Sequence, residues 1–229
     1  MTQTRKIAVI IPAYNEQAVI AEVLGDLCRF PYENILVNDG STDDTARIAR
    51  EFPIHYLDHV SNLGQGAALQ TGITYALDHL GADVIVTFDA DGQHNPAKIS
   101  DLVEPILAGG FDAALGSRFL EPANISAIPK SKIRLLKTAV FFTKLSTGLP
   151  LTDTHNGFRA FSRRAAGMIH ITQNGFAHAS EILAQIKKKK IHFCEVPVSV
   201  SYTAYSIRKG QPIMNAVNIL WDSFFGGFR

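Results

Sequence analysis

Asp89-Ala90-Asp91 closes the apolar run Val84-Ile85-Val86-Thr87-Phe88 and puts two carboxylates one residue apart where a strand meets a loop. Successive side chains of an extended chain point to opposite faces, so carboxylates two positions apart share a face and can hold one divalent cation. Mg²⁺ and Mn²⁺ favour such hard oxygen ligands and leave positions open for phosphate oxygens and water. Gln93 and His94 follow at once and offer a third protein ligand or a contact to a leaving group. Asp is also common in ordinary solvated turns, so the neighbouring loops decide between the two readings.

Two further polar loops share the arrangement. Pro12-Ala13-Tyr14-Asn15-Glu16 leaves the first apolar run, and Asn38-Asp39-Gly40-Ser41-Thr42-Asp43-Asp44-Thr45 leaves the second. Tyr14 can stack on a base, Glu16 and Asp39 can accept from ribose or base N–H groups, and Asp91 can hold a metal on a diphosphate. Singly, each loop reads as turn and cap chemistry. Together, on one edge of one sheet, they make a nucleotide cradle. Asn62-Leu63-Gly64-Gln65-Gly66 adds glycines at a helix start, which either let N–H groups approach a phosphate or merely shape a helix entry.

The elements that must position these groups are legible as alternating patterns. Short β-rich runs at Ile7 to Ile11, Asn34 to Val37, His55 to Leu57, Val84 to Phe88 and Ala113 to Gly116 alternate with helical periodicity. That periodicity appears at Val19, Val23, Leu24 and Leu27, from Thr45 to Ala49 and from Ala67 to Leu77. Such alternation predicts an α/β fold with a mixed, mainly parallel sheet flanked by helices, in which ligands bind beyond the carboxyl ends of the strands. Ser41 or Thr42 is expected to cap the second helix, with Asp43 and Asp44 in its first turn. After Ser117 come loops, a basic amphipathic stretch, the apolar segment Gly157 to Phe161, a helix and a strand within His192 to Val200.

With 229 residues the chain suits one large domain, 1–229, whose pattern changes at about residue 120 and so divides it into halves of about 1–120 and about 121–229. A net charge of +1 gives no global attraction to nucleic acid, and none is expected as a partner. Cys28 and Cys194 are too few for a disulfide framework and lack zinc-ligand spacing. Residues Met1 to Lys6 run into a strand without a signal-peptide pattern, and no stretch reaches the roughly 18 apolar residues of a membrane span. The expected setting is cytoplasmic, with peripheral attachment at the inner face of a membrane.

The segments Ile10 to Glu16, Val37 to Thr45 and Asp89 to His94 resemble the inverting family 2 glycosyltransferases of the GT-A, Rossmann-like fold. Asn62 to Ala68, Gly116-Ser117-Arg118 and Gly157-Phe158-Arg159 are most similar to those of the dolichyl- and polyprenyl-phosphate sugar synthases. The resemblance implies a nucleotide-sugar donor, UDP- or GDP-linked, in a pocket of Pro12, Tyr14, Glu16, Asp39, Asp89, Ala90 and Asp91. It implies Mg²⁺ or Mn²⁺ on Asp89, Asp91 and Gln93, and a polyprenyl or dolichyl phosphate acceptor for cell-surface glycan assembly.

On the acceptor side, Arg118 and Arg134 are suited to bidentate phosphate recognition. Arg118 can alternatively pair with Glu121 or another carboxylate. Arg208 and Lys209 fall in a basic loop that can close on the diphosphate. Ile133, Leu136 and Val140 share a helical face beside a basic fringe, and Ile213, Val217, Leu220, Trp221, Phe224 and Phe225 form a second apolar pattern. Either fits core packing or docking to a membrane surface or small membrane protein. Lys187 to Lys190 read as a solvated helix end. Transfer is expected by in-line attack on the anomeric carbon, with Asp91 and Arg118 at the catalytic centre. A lipid monophosphate needs no strong base, because its second pKa is about 6. A saccharide or other hydroxyl acceptor does need one, and Asp153, His155 or Glu181 is then the candidate. A silent nucleotide-sugar-binding protein is the reading from another class.

Overall fold

A computed structural model describes residues 5–121, 140, 148–154, 156–175 and 177–201. Their strands are β1 (Ile7–Ala13), β2 (Glu33–Asn38), β3 (His55–Asp58), β4 (Val84–Thr87), β5 (Ala113–Ser117), β6 (Arg159–Ser162) and β7 (Phe193–Pro197). The helices are α1 (Ile20–Leu27), α2 (Thr45–Ala49), α3 (Gln65–Asp78), α4 (Ile99–Leu107), α5 (Arg163–Met168) and α6 (His178–Lys188). The strands form one seven-stranded sheet in the order β3-β2-β1-β4-β6-β5-β7. All pairings are parallel except those of β6, which runs antiparallel between β4 and β5. Strand order reverses beside β1, whose neighbours are β2 and β4, so the crevice beyond β1 and β4 is the fold's natural ligand position.

Both faces of the sheet are covered, which is why its central strands read as continuous apolar runs. Ala8 and Ile10 of β1 face α3, α5 and α6 through Leu69, Ile73, Ala165 and Leu183. Val9 and Ile11 face the other way, onto Val23, Leu24 and Leu27 of α1 and Leu102 and Val103 of α4. Helix α4 carries Pro105 in its interior, a residue that reads as a breaker, although Ile99, Leu102, Val103 and Ile106 recur at helical spacing and are buried. Helix α3 lies unusually close to the sheet, because a Cβ on Gly72 would stand 2.3 Å from Ile10 Cγ2.

The expected capping of α2 is corrected. Asp44 occupies the cap position and Asp43 Oδ1 accepts the Thr45 N–H at 3.0 Å. Ser41 instead accepts the Asn15 N–H at 3.0 Å, and Asn15 Oδ1 accepts the Thr42 N–H at 2.9 Å. These residues therefore stitch the loop after β1 to the loop after β2. Among the described residues no helix is long and apolar enough to cross a membrane. Gly72→Ala is expected to lower unfolding free energy by about 1–3 kcal/mol through overpacking, read as a shifted midpoint in a urea titration.

Candidate active site

The chain reaches the site along β4. Phe88 N–H bonds to Ile10 O at 2.9 Å, extending the ladder by one residue and delivering Asp89 to the sheet's edge. There the antiparallel β6 matters, because its lead-in segment brings Gly157 under the carboxylate. A Cβ on Gly157 would lie 2.4 Å from Asp89 Oδ2 and 2.9 Å from Oδ1. Asp89 Oδ1 accepts Gln65 Nε2–H at 2.8 Å from the first turn of α3, and Oδ2 lies 3.7 Å from His94 Nε2. The His94 ring rests on Phe158 (centroids 4.9 Å apart) and edge-on to Phe88 (5.7 Å).

The two carboxylates of the D-x-D pair sit in opposed environments. Burial pushes the Asp89 carboxyl up, but His94, His178 and Arg159 outweigh it and hold it below the usual carboxylate range. Asp91 is pushed up to about 6 by burial and by the charges of Asp89 and Glu16, against the stabilising Gln93 N–H. That N–H donates to Asp91 Oδ1 at 3.0 Å.

Arg159 is the residue whose importance the linear sequence conceals. It is 3% exposed, and it bonds through Nε to Asn156 O (3.0 Å), through Nη2 to Thr154 O (3.3 Å) and through Nη1 to Ala179 O (3.4 Å). Burial pushes its guanidinium down to about 10, while Asp89 and Asp153 hold it up, so it stays charged at neutral pH. Its sequence signal was the Gly-Phe-Arg segment itself, though nothing there indicates a guanidinium packed beneath the site. Among the described residues, His94 Nδ1 and Asn156 Nδ2 are buried without a hydrogen-bond partner.

The nucleotide side is braced by Asp39, which is only 2% exposed. Its carboxylate accepts the N–H groups of Leu63 (2.9 Å) and Gly64 (2.8 Å) and lies 2.7 Å from His59 Nδ1. Gly66 N–H bonds to Asn174 O at 2.7 Å. The glycine loop is therefore a packing joint at these three N–H groups and not a phosphate cradle. Gly64 has φ +99°, and a Cβ there or on Gly66 would strike the carbonyl oxygens of Asn174 or Gln173 at 2.3 and 2.1 Å. Pro12 and Ala90 line the same edge from β1 and the loop after β4, while Tyr14 is 41% exposed and Glu16 is buried.

At the end of β5, Arg118 does pair with a carboxylate, the alternative its sequence left open; the partner is Asp153 and not Glu121, and the Arg118 side chain is 10% exposed. Asp153 Oδ2 accepts Arg118 Nε–H at 2.6 Å and the Arg118 main-chain N–H at 3.2 Å. The Asp153 side chain is 1% exposed. Glu181, the other described candidate base, accepts the N–H groups of Thr172 and Gln173 and the Thr172 hydroxyl. Lys187 to Lys190 lie at the end of α6 next to the start of β7, the pole away from the site. His155, Arg134, Arg208 and Lys209 lie outside the described residues, as do Ile133, Leu136 and the pattern from Ile213 to Phe225.

The donor set suits a hard divalent cation. Among the described residues no group of three or more His, Cys, Asp or Glu side chains could enclose a metal. Asp89 and Asp91 are instead hard oxygen donors of the kind Mg²⁺ takes when substrate phosphates and water complete its shell, and Gln93 is tied to them here through its main-chain N–H on Asp91.

A family model for glycosyl transferase family 2 matches residues 8–168, and the chain belongs to that family. It is 34% identical over 235 residues to the UDP-N-acetylglucosamine–dolichyl-phosphate N-acetylglucosaminyltransferase of Methanococcus voltae, covering 94% of this chain and 93% of that protein. It is 29% identical over 217 residues to the polyprenol monophosphomannose synthase of Mycolicibacterium smegmatis, covering 90% and 81%. The crystal structure of glucosyl-3-phosphoglycerate synthase from Mycobacterium tuberculosis, in complex with Mn²⁺, UDP and glucosyl-3-phosphoglycerate, superposes with a TM-score of 0.73 at 19% identity, over 96% of this chain and 77% of that one. That likeness establishes the GT-A fold, and the family makes the protein a glycosyltransferase.

Two outcomes test the site. Gly157→Ala is expected to weaken Mn²⁺-dependent UDP or GDP binding roughly tenfold or more by displacing Asp89, with an unchanged far-ultraviolet spectrum; calorimetric titration reads it. Because Asp91 rises from 3.8 to about 6 on folding, its contribution to stability is complete below pH 3.8 and lost as pH rises through 6. Asp91→Asn in EDTA is therefore expected to be more stable than the parent at pH 7.5 by about 1 kcal/mol, roughly 2–4 °C in Tm. At pH 3.5, thermal unfolding should show no such gain.

Proposed function

We propose that this glycosyltransferase moves a hexose, with inversion, from a UDP- or GDP-sugar to a polyprenyl or dolichyl phosphate. The observation that carries the reading is the Arg118–Asp153 pair at the end of β5. It presents a fixed guanidinium on the sheet edge that also bears Asp89 and Asp91, and guanidinium suits a phosphate oxygen. The two described carboxylates named as candidate bases for a hydroxyl acceptor are engaged otherwise: Asp153 by Arg118, Glu181 by the 172–173 turn. A phosphate acceptor needs no such base, because it arrives already ionised near neutral pH. The names of the Methanococcus voltae and Mycolicibacterium smegmatis relatives point to the same acceptor class.

In this reading residues 1–120 hold the donor and residues 121–229 the acceptor. Tyr14 stacks on the base, and Pro12, Glu16 and Ala90 line the pocket. Asp39 acts by fixing Leu63 and Gly64 at its wall. Asp89, Asp91 and Gln93 would hold Mg²⁺ or Mn²⁺, which when bound neutralises charge on the departing diphosphate. Arg118 holds the attacking phosphate oxygen in line with the anomeric carbon, and Arg134, Arg208 and Lys209 add positive charge around acceptor and diphosphate. His155 is the proposed proton-handling group should the acceptor be a hydroxyl. Attachment at the inner face of a membrane, directly or through a small membrane protein, follows from a lipid acceptor.

The test is a panel of UDP- and GDP-sugars with Mg²⁺ or Mn²⁺, with farnesyl phosphate as acceptor and product followed by chromatography. One donor should yield a sugar-phosphate-lipid product, and Arg118→Met should reduce turnover roughly a hundredfold. Transfer only to a sugar alcohol would overturn the acceptor assignment, and binding without transfer to either would favour a silent binding protein. Sedimentation with anionic liposomes checks the membrane attachment.

A further inference from the structure

We propose that Glu195 is a positioning residue for the acceptor phosphate, acting on Arg118 from the edge strand through two hydrogen-bonded routes. The inference rests on the phosphate reading of Arg118. Glu195 lies on β7 opposite Leu115 of β5, three residues before Arg118 in the paired strand. Its carboxylate accepts the Thr152 N–H (2.9 Å to Oε1 and 3.0 Å to Oε2), the Thr152 hydroxyl (3.0 Å) and the Asp153 N–H (3.2 Å).

The first route is main-chain. By holding the N–H groups of Thr152 and Asp153, Glu195 sets where the Asp153 side chain begins, and Asp153 Oδ2 takes both Arg118 Nε–H and Arg118 N–H. The second route runs through hydroxyls and has a direction. Thr152 has one hydroxyl proton, and the carboxylate, which can only accept, takes it. The 2.7 Å contact between the Ser117 and Thr152 hydroxyls must then be donated by Ser117. Ser117 Oγ in turn accepts the Phe119 N–H at 3.3 Å. Both routes end on the turn 117–119 that carries Arg118, and both begin at Glu195.

A carboxylate is the group this position requires. Three donors converge on it, whereas an amide would offer one oxygen and set its NH₂ against N–H groups. The cost is visible: burial pushes the Glu195 carboxyl up, and the nearby charge of Asp153 adds to this, against the bonds from Thr152 and Asp153. None of the hydrogen bonds that define the two routes involves Asp89, Asp91 or the loops after β1 and β2, so the effect should be confined to the acceptor.

The experiment compares Glu195→Gln, Thr152→Val and Arg118→Met in the full chain, by calorimetry with two probes: farnesyl phosphate, and UDP or GDP with Mn²⁺. Glu195→Gln is expected to weaken farnesyl phosphate binding roughly tenfold while nucleotide affinity stays within about twofold. Thr152→Val, which cuts only the hydroxyl route, should show a smaller loss of the same selectivity. Adding Glu195→Gln to Arg118→Met should cost little more than Arg118→Met alone, since coupled residues are not additive. Loss with Arg118→Met but none with Glu195→Gln or Thr152→Val would overturn the inference and leave the phosphate reading standing. No loss with Arg118→Met would remove that reading, and the inference with it. Equal losses for both probes would reduce Glu195 to a structural role. Should Glu195→Gln fail to fold, Thr152→Val alone decides, by the presence or absence of the selective loss.

Discussion

Asp89 can stand where it does because the residue beneath it has no side chain. Its carboxylate rests on Gly157, and any Cβ at that position would fall inside van der Waals contact with both oxygens. The contact needs β6 to enter the sheet antiparallel between β4 and β5, so that the segment before Arg159 runs past the end of β4. Thr87 secures the approach by donating its hydroxyl to Gly157 O. An acidic site that looks local, with two carboxylates in one loop, thus depends on a segment some seventy residues away in sequence.

Charge follows from that packing. A guanidinium is buried behind the D-x-D loop with its N–H groups donated to carbonyl oxygens, an arrangement that is costly unless it serves nearby carboxylates. Burial pushes the Asp89 carboxyl up, but His94, then His178 and Arg159, favour its ionised form, while burial and then the charge of Asp89 disfavour that of Asp91. Two acids two residues apart are thereby pushed in opposite directions. Such opposed shifts mark functional sites more often than structural ones.

The nucleotide side solves a different problem, that of holding three loops in fixed relation. Asp39 does so by spending its carboxylate on Leu63, Gly64 and His59, while Gly64 and Gly66 allow α3 to press against the 173–174 backbone. Asn15, Ser41 and Thr42 tie the first two loops together. At the other end of the D-x-D loop, Ser201 N–H bonds to Gln93 O at 2.9 Å and Val200 bridges His94. The D-x-D loop is therefore gripped from both halves of the chain.

The strand runs, the helices α1 to α3 and the three polar loops were legible because each depends on local periodicity or on turn residues. The D-x-D pair was legible for the same reason, since one strand end fixes both carboxylates. Helix α4 was hidden by Pro105, and the cap of α2 was misplaced by two or three residues because Ser, Thr and Asp compete equally for that role in a linear reading. What the sequence determined by itself was the set of chemical groups and the edge of the sheet they would share. Tertiary structure alone decided that Arg118 pairs with Asp153, that Gly157 supports Asp89, that Arg159 lies beneath the site and that Glu195 holds the 152–153 segment. Each of these joins residues 35 or more positions apart or through a buried layer, and neither spacing nor composition encodes which distant backbone a side chain will meet once the sheet closes.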